Sequence, residues 1–250
     1  MTEVNYKTML SLIVPAYNEC KRLPPYLSSI IDYFNQSSGI DFEIIIIDDG
    51  SEDGTIDALA GFLTTCPCLS LLRHPLNLGK GAALRTGILA ARGDWLLLAD
   101  ADGATPIGEE LKLRQAIEQG AAAAIGSRLL ATGKSHLERF WHRRIAGQIF
   151  ATVTRTLFHL PFRDTQCGFK MFRREMVLHI LPFCHETGYL FELELLLWLH
   201  RMGHRITEVP VSWRDVPGTK VRLVRDSLRM LHGLARLYRS PYQGRPLVAI

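Results

Sequence analysis

Between Met9 and Ile125 the chain alternates short apolar, β-branched runs with stretches of helical spacing, and this alternation limits the fold more than any other feature. Strands are expected at Met9–Val14, Phe42–Ile47, Leu69–Arg73, Trp95–Ala99 and Ala121–Ile125. Helices are expected between them at Lys21–Gln36, Thr55–Thr64, Gly79–Ala91 and Ile107–Gln119. In the first of these, Leu23, Leu27, Ile30, Ile31 and Phe34 return at the spacing of one helix face. Pro15, which lacks an N–H, is read as the end of the first strand. Strands alternating with helices of this length form βαβ units in a mostly parallel sheet, so the fold class is α/β. Open sheets of this kind bind ligands beyond the carboxyl ends of their strands.

Acidic clusters stand at those ends. Trp95-Leu96-Leu97-Leu98-Ala99 runs directly into Asp100-Ala101-Asp102, and Phe42–Ile47 into Asp48-Asp49-Gly50-Ser51. Two carboxylates one residue apart at the end of a buried strand repel each other unless a cation meets them. A divalent ion carrying a phosphate-bearing ligand resolves the conflict, because Mg²⁺ and Mn²⁺ take oxygen ligands and pair with substrate phosphates. D-x-D alone is also compatible with a strand-end turn whose aspartates are solvated. Gly79-Lys80-Gly81 opens a helix, and helix N-termini favour phosphate, but no P-loop pattern is present.

Charge is distributed unevenly. Residues 134–163 hold Lys134, Arg139, Arg143, Arg144, Arg155 and Arg163 against Glu138, and residues 220–239 hold Lys220, Arg222, Arg225, Arg229, Arg236 and Arg239 against Asp226. The whole chain is only +4, so the remainder is net acidic and the basic segments point to an anionic partner at particular surfaces. Both segments repeat apolar residues on one helical face, at 137–158 and 223–238. Such a stripe is either core or an interfacial membrane contact. No run reaches the roughly 18–20 apolar residues of a spanning helix, and Met1–Lys7 shows no apolar signal region. The five cysteines have no framework or zinc spacing, so reduced thiols are expected. The histidines show no metal-ligand spacing.

Taken together, Val14-Pro15-Ala16-Tyr17-Asn18-Glu19, Asp48-Asp49-Gly50-Ser51, Asn77-Leu78-Gly79-Lys80-Gly81 and Asp100-Ala101-Asp102-Gly103 follow the order seen in family-2 glycosyltransferases. Ala99–Thr105, Gly126-Ser127-Arg128, Asp164-Thr165-Gln166-Cys167-Gly168-Phe169-Lys170, Val211-Ser212-Trp213 and Gly218-Thr219-Lys220 narrow the match. Over about residues 10–235 the chain resembles the dolichyl-phosphate β-glucosyltransferases and related polyprenyl-phosphate glycosyltransferases of that family. The resemblance implies a GT-A fold over 1–235, with basic amphipathic interface helices at about 134–160 and 220–239 and a tail at 240–250. It implies inverting transfer of a hexose, first glucose from UDP-glucose, onto a polyprenyl or dolichyl phosphate, with mannose from GDP-mannose as the alternative. Mg²⁺ or Mn²⁺ is the implied cofactor. Eukaryotic members carry an N-terminal membrane anchor that is not expected here, so a peripheral place at the cytoplasmic face of a membrane is the expected localisation.

On this reading the donor is bound by Pro15, Ala16, Tyr17, Asn18, Glu19, Asp49, Gly79, Lys80, Asp100, Ala101 and Asp102. Asp49 would accept a hydrogen bond from a pyrimidine N–H; an Asx turn before Gly50 is the structural alternative. Asp102 is the first choice as metal ligand, with Asp100 sharing the metal or contacting the ribose. Asp100, Asp102 and Arg128 form the expected catalytic group. A phosphate-monoester acceptor has a second pKa of about 6, so it arrives largely as a dianion and requires no carboxylate base. It requires cations, and guanidinium suits phosphate: Arg128, Arg143, Arg144 and Lys220 are the candidates, with Lys170 behind them. Glu192 either faces the sugar or forms an ion pair with an arginine, Trp213 either stacks on a sugar or sits in a strand core, and Cys167 is a packed residue. A nucleotidyltransferase would carry a G-x-G-T-R loop after strand one and an NAD enzyme G-x-G-x-x-G; Pro15-Ala16-Tyr17-Asn18 stands there instead. No nucleic-acid partner is expected.

Overall fold

The computed structural model describes residues 8–36, 40–130, 141–218 and 223–239, with the backbone alone described at 141–149 and 223–228. The first half follows the expected alternation: β1 (Met9–Ala16), α1 (Leu23–Gln36), β2 (Asp41–Asp48), α2 (Thr55–Thr65), β3 (Leu69–Arg73), α3 (Lys80–Ala90), β4 (Trp95–Leu98), α4 (Glu110–Glu118) and β5 (Ala123–Ser127). A short 3₁₀ turn, Ile107–Glu109, leads into α4. The second half contributes α5 (Trp141–Phe158), β6 (Lys170–Arg173), α6 (Arg174–Ile180), α7 (Phe191–Arg201), β7 (Ile206–Pro210) and α8 (Leu223–Arg239).

The strands form one seven-stranded sheet in the order β3-β2-β1-β4-β6-β5-β7. All pairings are parallel except those of β6, which runs antiparallel to both β4 and β5. The mostly parallel sheet expected from the alternation is therefore present, with one reversed strand in its middle. Helices cover both faces, which is why the central strands are continuous apolar runs rather than alternating ones. The period of two divides them: Leu10, Leu12, Val14, Ile44, Ile46 and Leu97 meet α1 and α4, while Ile13, Ile45, Ile47, Leu96 and Leu98 meet α3 and α7. Each of these fully buried side chains contributes about 1.5–3 kcal/mol.

Two expectations are corrected. Pro15 does not end β1, which continues through Ala16 in register with Asp48. Ile13 accepts from Ala99 N on the β4 side and Ala16 accepts from Asp49 N on the β2 side, so the N–H that Pro15 lacks would face β4, where pairing stops at Ile13. No ladder bond is lost. Second, Cys66 and Cys68 are joined as a disulfide around Pro67, rather than both being reduced; Cys20, Cys167 and Cys184 are free.

Within the described residues the two basic amphipathic segments are helical, as α5 and α8, and these helices touch each other. Leu234 and Leu237 of α8 belong to the buried core, Gly233 lies against Leu190, and Arg236 pairs with Glu186. Phe158 of α5 meets Tyr238 edge to face at 6.4 Å. Val153, Leu231 and Tyr238 remain exposed. Part of each apolar stripe is thus core and part is free. No helix among the described residues is long and apolar enough to cross a membrane.

Candidate active site

Because β1, β2, β4, β5 and β7 run one way and β6 the other, the segments leaving the first five and the segment entering β6 share one edge of the sheet. That edge collects Pro15–Glu19, Asp48–Ser51, Asp100–Asp102, Arg128, Val211–Trp213 and Asp164–Lys170. The heptapeptide enters between β4 and β5, with Lys170 in register with both Leu98 and Ile125.

At the end of β4, Asp100 and Asp102 are 44% and 28% exposed at the side chain. Lys80, the first residue of α3, donates from Nζ to Asp100 Oδ1 and to Glu192 Oε2, each at 2.7 Å. Glu192, in the first turn of α7, also accepts from buried Lys170 at 2.8 Å, and Lys170 donates to the Cys167 carbonyl. Burial by itself would raise the Glu192 carboxyl, but Lys170 and Lys80 reverse this and hold it at about 2. Burial would lower the Lys80 ammonium, and Asp100 and Glu192 raise it instead. Lys170 is therefore not available as an acceptor cation, and Glu192 pairs with two lysines rather than with an arginine or a sugar.

Asp102 is less well compensated. Its Oδ1 accepts from Ala104 N at 3.0 Å, and its Oδ2 lies 3.8 Å from Arg22 Nη1, a buried atom with no hydrogen-bond partner. Arg22 is otherwise engaged with Glu19 through Nε at 2.6 Å and through Nη2. Burial, then the neighbouring charges of Asp100 and Glu19, push the Asp102 carboxyl above its ordinary value, against the hydrogen bond from Ala104 and the charge of Arg22. Such a carboxylate gains from a cation. Asp100 and Asp102 offer carboxylate oxygens of the kind a divalent ion takes, and among the described residues no third His, Cys, Asp or Glu is placed to complete a metal cluster with them.

The loops beside them are tied together. Asn18, at a left-handed φ of 56°, donates from its backbone to Ser51 Oγ and accepts from Glu52 N, while Glu19 N donates to Thr55 Oγ1. Asp49 is buried and accepts from Leu78 N at 2.9 Å and Gly79 N at 2.8 Å, with His74 Nδ1 at 2.7 Å from its Oδ1. His74 Nε2 in turn lies 2.9 Å from Thr86 Oγ1. Two amides of the Gly79 turn are thus used on Asp49 rather than left open for phosphate, and Ala82 N is used on Thr187 O. What that helix start offers outward is the Lys80 side chain. Ala16 and Ala101 belong to the core, so they can offer a donor only backbone atoms; Tyr17 is exposed and Pro15 half-buried.

On the other side of Asp100 is a cleft lined by Tyr26, Thr105, Arg128, Gly168, Phe169 and Trp213. Arg128 makes a bidentate pair with buried Asp164, Nε to Oδ2 and Nη2 to Oδ1, both 2.7 Å, and its backbone N–H adds a third bond. Burial would raise Asp164, and Arg128 brings it below the carboxylate range instead. The guanidinium carbon stands 5.8 Å from the centre of the Trp213 ring. Trp213 is half-buried outside any strand, so the core-strand alternative does not apply. Cys167 is buried, and burial raises its thiol, in keeping with a packed residue. Gly168 faces Asp100 so closely that a Cβ there would overlap the carboxylate.

The structure therefore brings Pro15–Glu19, Asp49, Gly79, Lys80, Asp100–Asp102 and Arg128 to one edge. Arg143 and Arg144 lie on α5 where the backbone alone is described, and Lys220 lies outside the described residues. Arg22, Tyr26 and His74 were not singled out from the sequence. Arg22 is three residues from Glu19 on the same loop, which is the only signal it carried; Tyr26 and His74 carried none.

Two outcomes are expected. Gly168→Ala should leave the melting temperature nearly unchanged, because the clashing atoms are a side-chain end. It should displace Asp100 from Lys80 in a crystal structure and lower turnover by about a hundredfold. Glu192→Gln should cost about 3 kcal/mol in urea denaturation at neutral pH, since it leaves two lysines around an uncharged amide. A carboxylate held at about 2 rather than 4.5 contributes stability that is complete above its ordinary value and is lost as pH falls towards 2, so the difference from the parent should shrink over that interval.

Residues 11–181 match the family described as Glycosyl transferase family 2. The dolichyl-phosphate beta-glucosyltransferase of Dictyostelium discoideum is 35% identical over 241 residues, 91% of this chain and 73% of that protein. The Saccharomyces cerevisiae enzyme of the same name is 34% identical over 242 residues, 90% of this chain and 72% of that one. Among solved structures, glucosyl-3-phosphoglycerate synthase from Mycobacterium tuberculosis in complex with UDP superposes with a TM-score of 0.68 at 19% identity, over 92% of this chain and 80% of that chain. Its complex with Mn²⁺ and UDP-glucose gives 0.67 at 18% identity, over 92% and 79%. These likenesses show the GT-A fold, and together with the sequence matches they establish that the chain belongs to glycosyl transferase family 2.

Proposed function

We propose that this transferase moves glucose from UDP-glucose to the phosphate of a dolichyl or other polyprenyl phosphate, with Mg²⁺ or Mn²⁺ held by Asp102 and Asp100. The relatives named dolichyl-phosphate beta-glucosyltransferase support the substrate pair, and the neighbour holding Mn²⁺ with UDP-glucose supports the metal and donor class.

One observation carries the choice of acceptor. The carboxylates around the cleft are committed: Asp100 to Lys80, Glu192 to Lys80 and Lys170, Asp164 to Arg128, and Asp102, which has Arg22 only at 3.8 Å, to the proposed metal. Among the described residues this leaves no carboxylate beside the cleft free to take a proton from a sugar hydroxyl. A phosphate monoester removes that requirement, because at neutral pH it is already largely ionised. Its oxygen attacks the anomeric carbon, the bond from that carbon to the donor diphosphate breaks, and the electron pair leaves with the diphosphate. A metal bound at the aspartates supplies charge stabilisation to that leaving group.

The remaining work falls to side chains. Asp49, directly after β2 and with its position set by the Leu78 and Gly79 amides, is the residue proposed to meet the base edge. Arg128, with N–H groups not used on Asp164, and Trp213 bound the acceptor side. Arg143, Arg144 and Lys220 are proposed as further acceptor-phosphate cations. The free parts of α5 and α8, with their arginines, lie on the surface of the cytoplasmic leaflet, where anionic lipid attracts each basic residue by about 1 kcal/mol.

The test is incubation with labelled UDP-glucose, Mg²⁺ or Mn²⁺ and a short polyprenyl phosphate, with GDP-mannose as competitor and product mass as readout. Glucosyl phosphoryl lipid should form, and Asp102→Ala should abolish it while the far-ultraviolet circular dichroism spectrum stays unchanged. Product from GDP-mannose alone would correct the sugar, and no lipid product from either donor would reject the reading. On liposome flotation the protein should rise with vesicles containing anionic lipid and far less with neutral ones. Equal recovery in the soluble fraction with both would remove the membrane assignment.

A further inference from the structure

Lys80 is held more firmly at one end than at the other. Its partner Glu192 is buried and fixed by a second cation, Lys170, which is itself tied to the Cys167 carbonyl. The backbone on either side of Lys80 is locked to the same region: a Cβ on Gly79 would collide with the Thr187 carbonyl, and one on Gly81 with Phe191 and Thr187. Phe191 is the first residue of α7 and precedes Glu192, so the root of Lys80 and its inner partner are packed against the same element. The outer partner is different in kind. Asp100 is 44% exposed, and its one ion pair among the described residues is with Lys80. Among the described residues its neighbour Asp102 has the Ala104 amide and, as cation, Arg22 at 3.8 Å.

A divalent ion at this strand end would compete with Lys80 for the Asp100 carboxylate. We infer that Lys80 is the resident counter-cation of Asp100: it neutralises that carboxylate while the donor site is empty, and exchanges it for a diphosphate oxygen when metal and donor enter, remaining anchored on Glu192 throughout. The exchange leaves no charge unmatched. Before it, Lys80 stands between two carboxylates; after it, the divalent ion takes the outer carboxylate and the ammonium faces the leaving diphosphate. Lys170 and Glu192 are then positioning residues that act through Lys80. This inference rests on the donor-site reading above and adds a competition which that reading does not require.

The competition can be measured without turnover. Binding of Mn²⁺ alone, followed by the electron paramagnetic resonance signal of the free ion, should be about five- to tenfold tighter in Lys80→Met than in the parent. With Mn²⁺ saturating, affinity for UDP should fall by a similar factor in the same variant. Lys80→Gln, which keeps an N–H donor for Glu192, provides the second protein should the methionine variant melt early, and it should shift both affinities in the same directions. Mn²⁺ affinity that is unchanged or weaker in the variant that folds, or Mn²⁺ binding by neither variant, overturns the inference. Failure to form a lipid-linked sugar would remove the polyprenyl-phosphate reading while leaving this competition intact, so the two failures are separable.

Discussion

Four side chains of alternating charge, Asp100, Lys80, Glu192 and Lys170, hold together the four elements that meet at the middle of the sheet. They come from the end of β4 and the starts of α3, α7 and β6. Glu192 and Lys170 are buried, so an unpaired charge on either costs several kcal/mol, whereas Asp100 is partly exposed. The apolar burial on both sheet faces, at about 1.5–3 kcal/mol per large side chain, supplies the stability against which this cluster is tolerated. The cluster does not by itself stabilise the fold more than a packed apolar group would. Its effect is geometric: it fixes where an ammonium and a carboxylate stand at the open edge.

The reversed strand β6 is what makes this possible. A parallel strand in the same place would enter from the opposite edge, and Asp164–Lys170 would lie far from the aspartates. Running antiparallel, β6 delivers Gly168 against Asp100, Asp164 against Arg128 and Lys170 against Glu192 in a single short segment. Arg128 is consequently not a free surface cation. Its bidentate pairing sets the plane of the guanidinium over Trp213, and only the N–H groups pointing away from Asp164 remain for an anion.

The loops around Asp49 are more fully hydrogen-bonded than the strand end that carries Asp100 and Asp102. Asp49, His74 and Thr86 form a buried chain of hydrogen bonds, and the loops after β1 and β2 are joined through Asn18 and Ser51. Asp102 and Asp100, by contrast, are partly exposed and incompletely compensated. The basic helices α5 and α8 lie apart from these contacts and share their apolar stripes between core and surface: Leu234 and Leu237 inside, Leu231 and Tyr238 outside.

The sheet, its flanking helices and the strand-end location of Asp49, Asp100 and Asp102 were legible in the sequence, because period-two and helical spacing are local properties and parallel topology places ligands at one edge. The family motifs were legible for the same reason, being contiguous. The partners of those residues were not. Lys170 stood behind the acceptor-cation candidates, and Glu192 was read as either a sugar contact or the partner of an arginine, yet they bind each other across 22 positions, and Lys80 reaches Glu192 across 112. Tyr26 and His74 carried no pattern at all, and Arg22 only its closeness to Glu19. The chain alone determined which groups could bind a nucleotide sugar and where along each strand they would stand. Tertiary structure decided which charges are already spent on one another and which remain open, because ion pairing depends on distances that only the crossing of β6 between β4 and β5 creates.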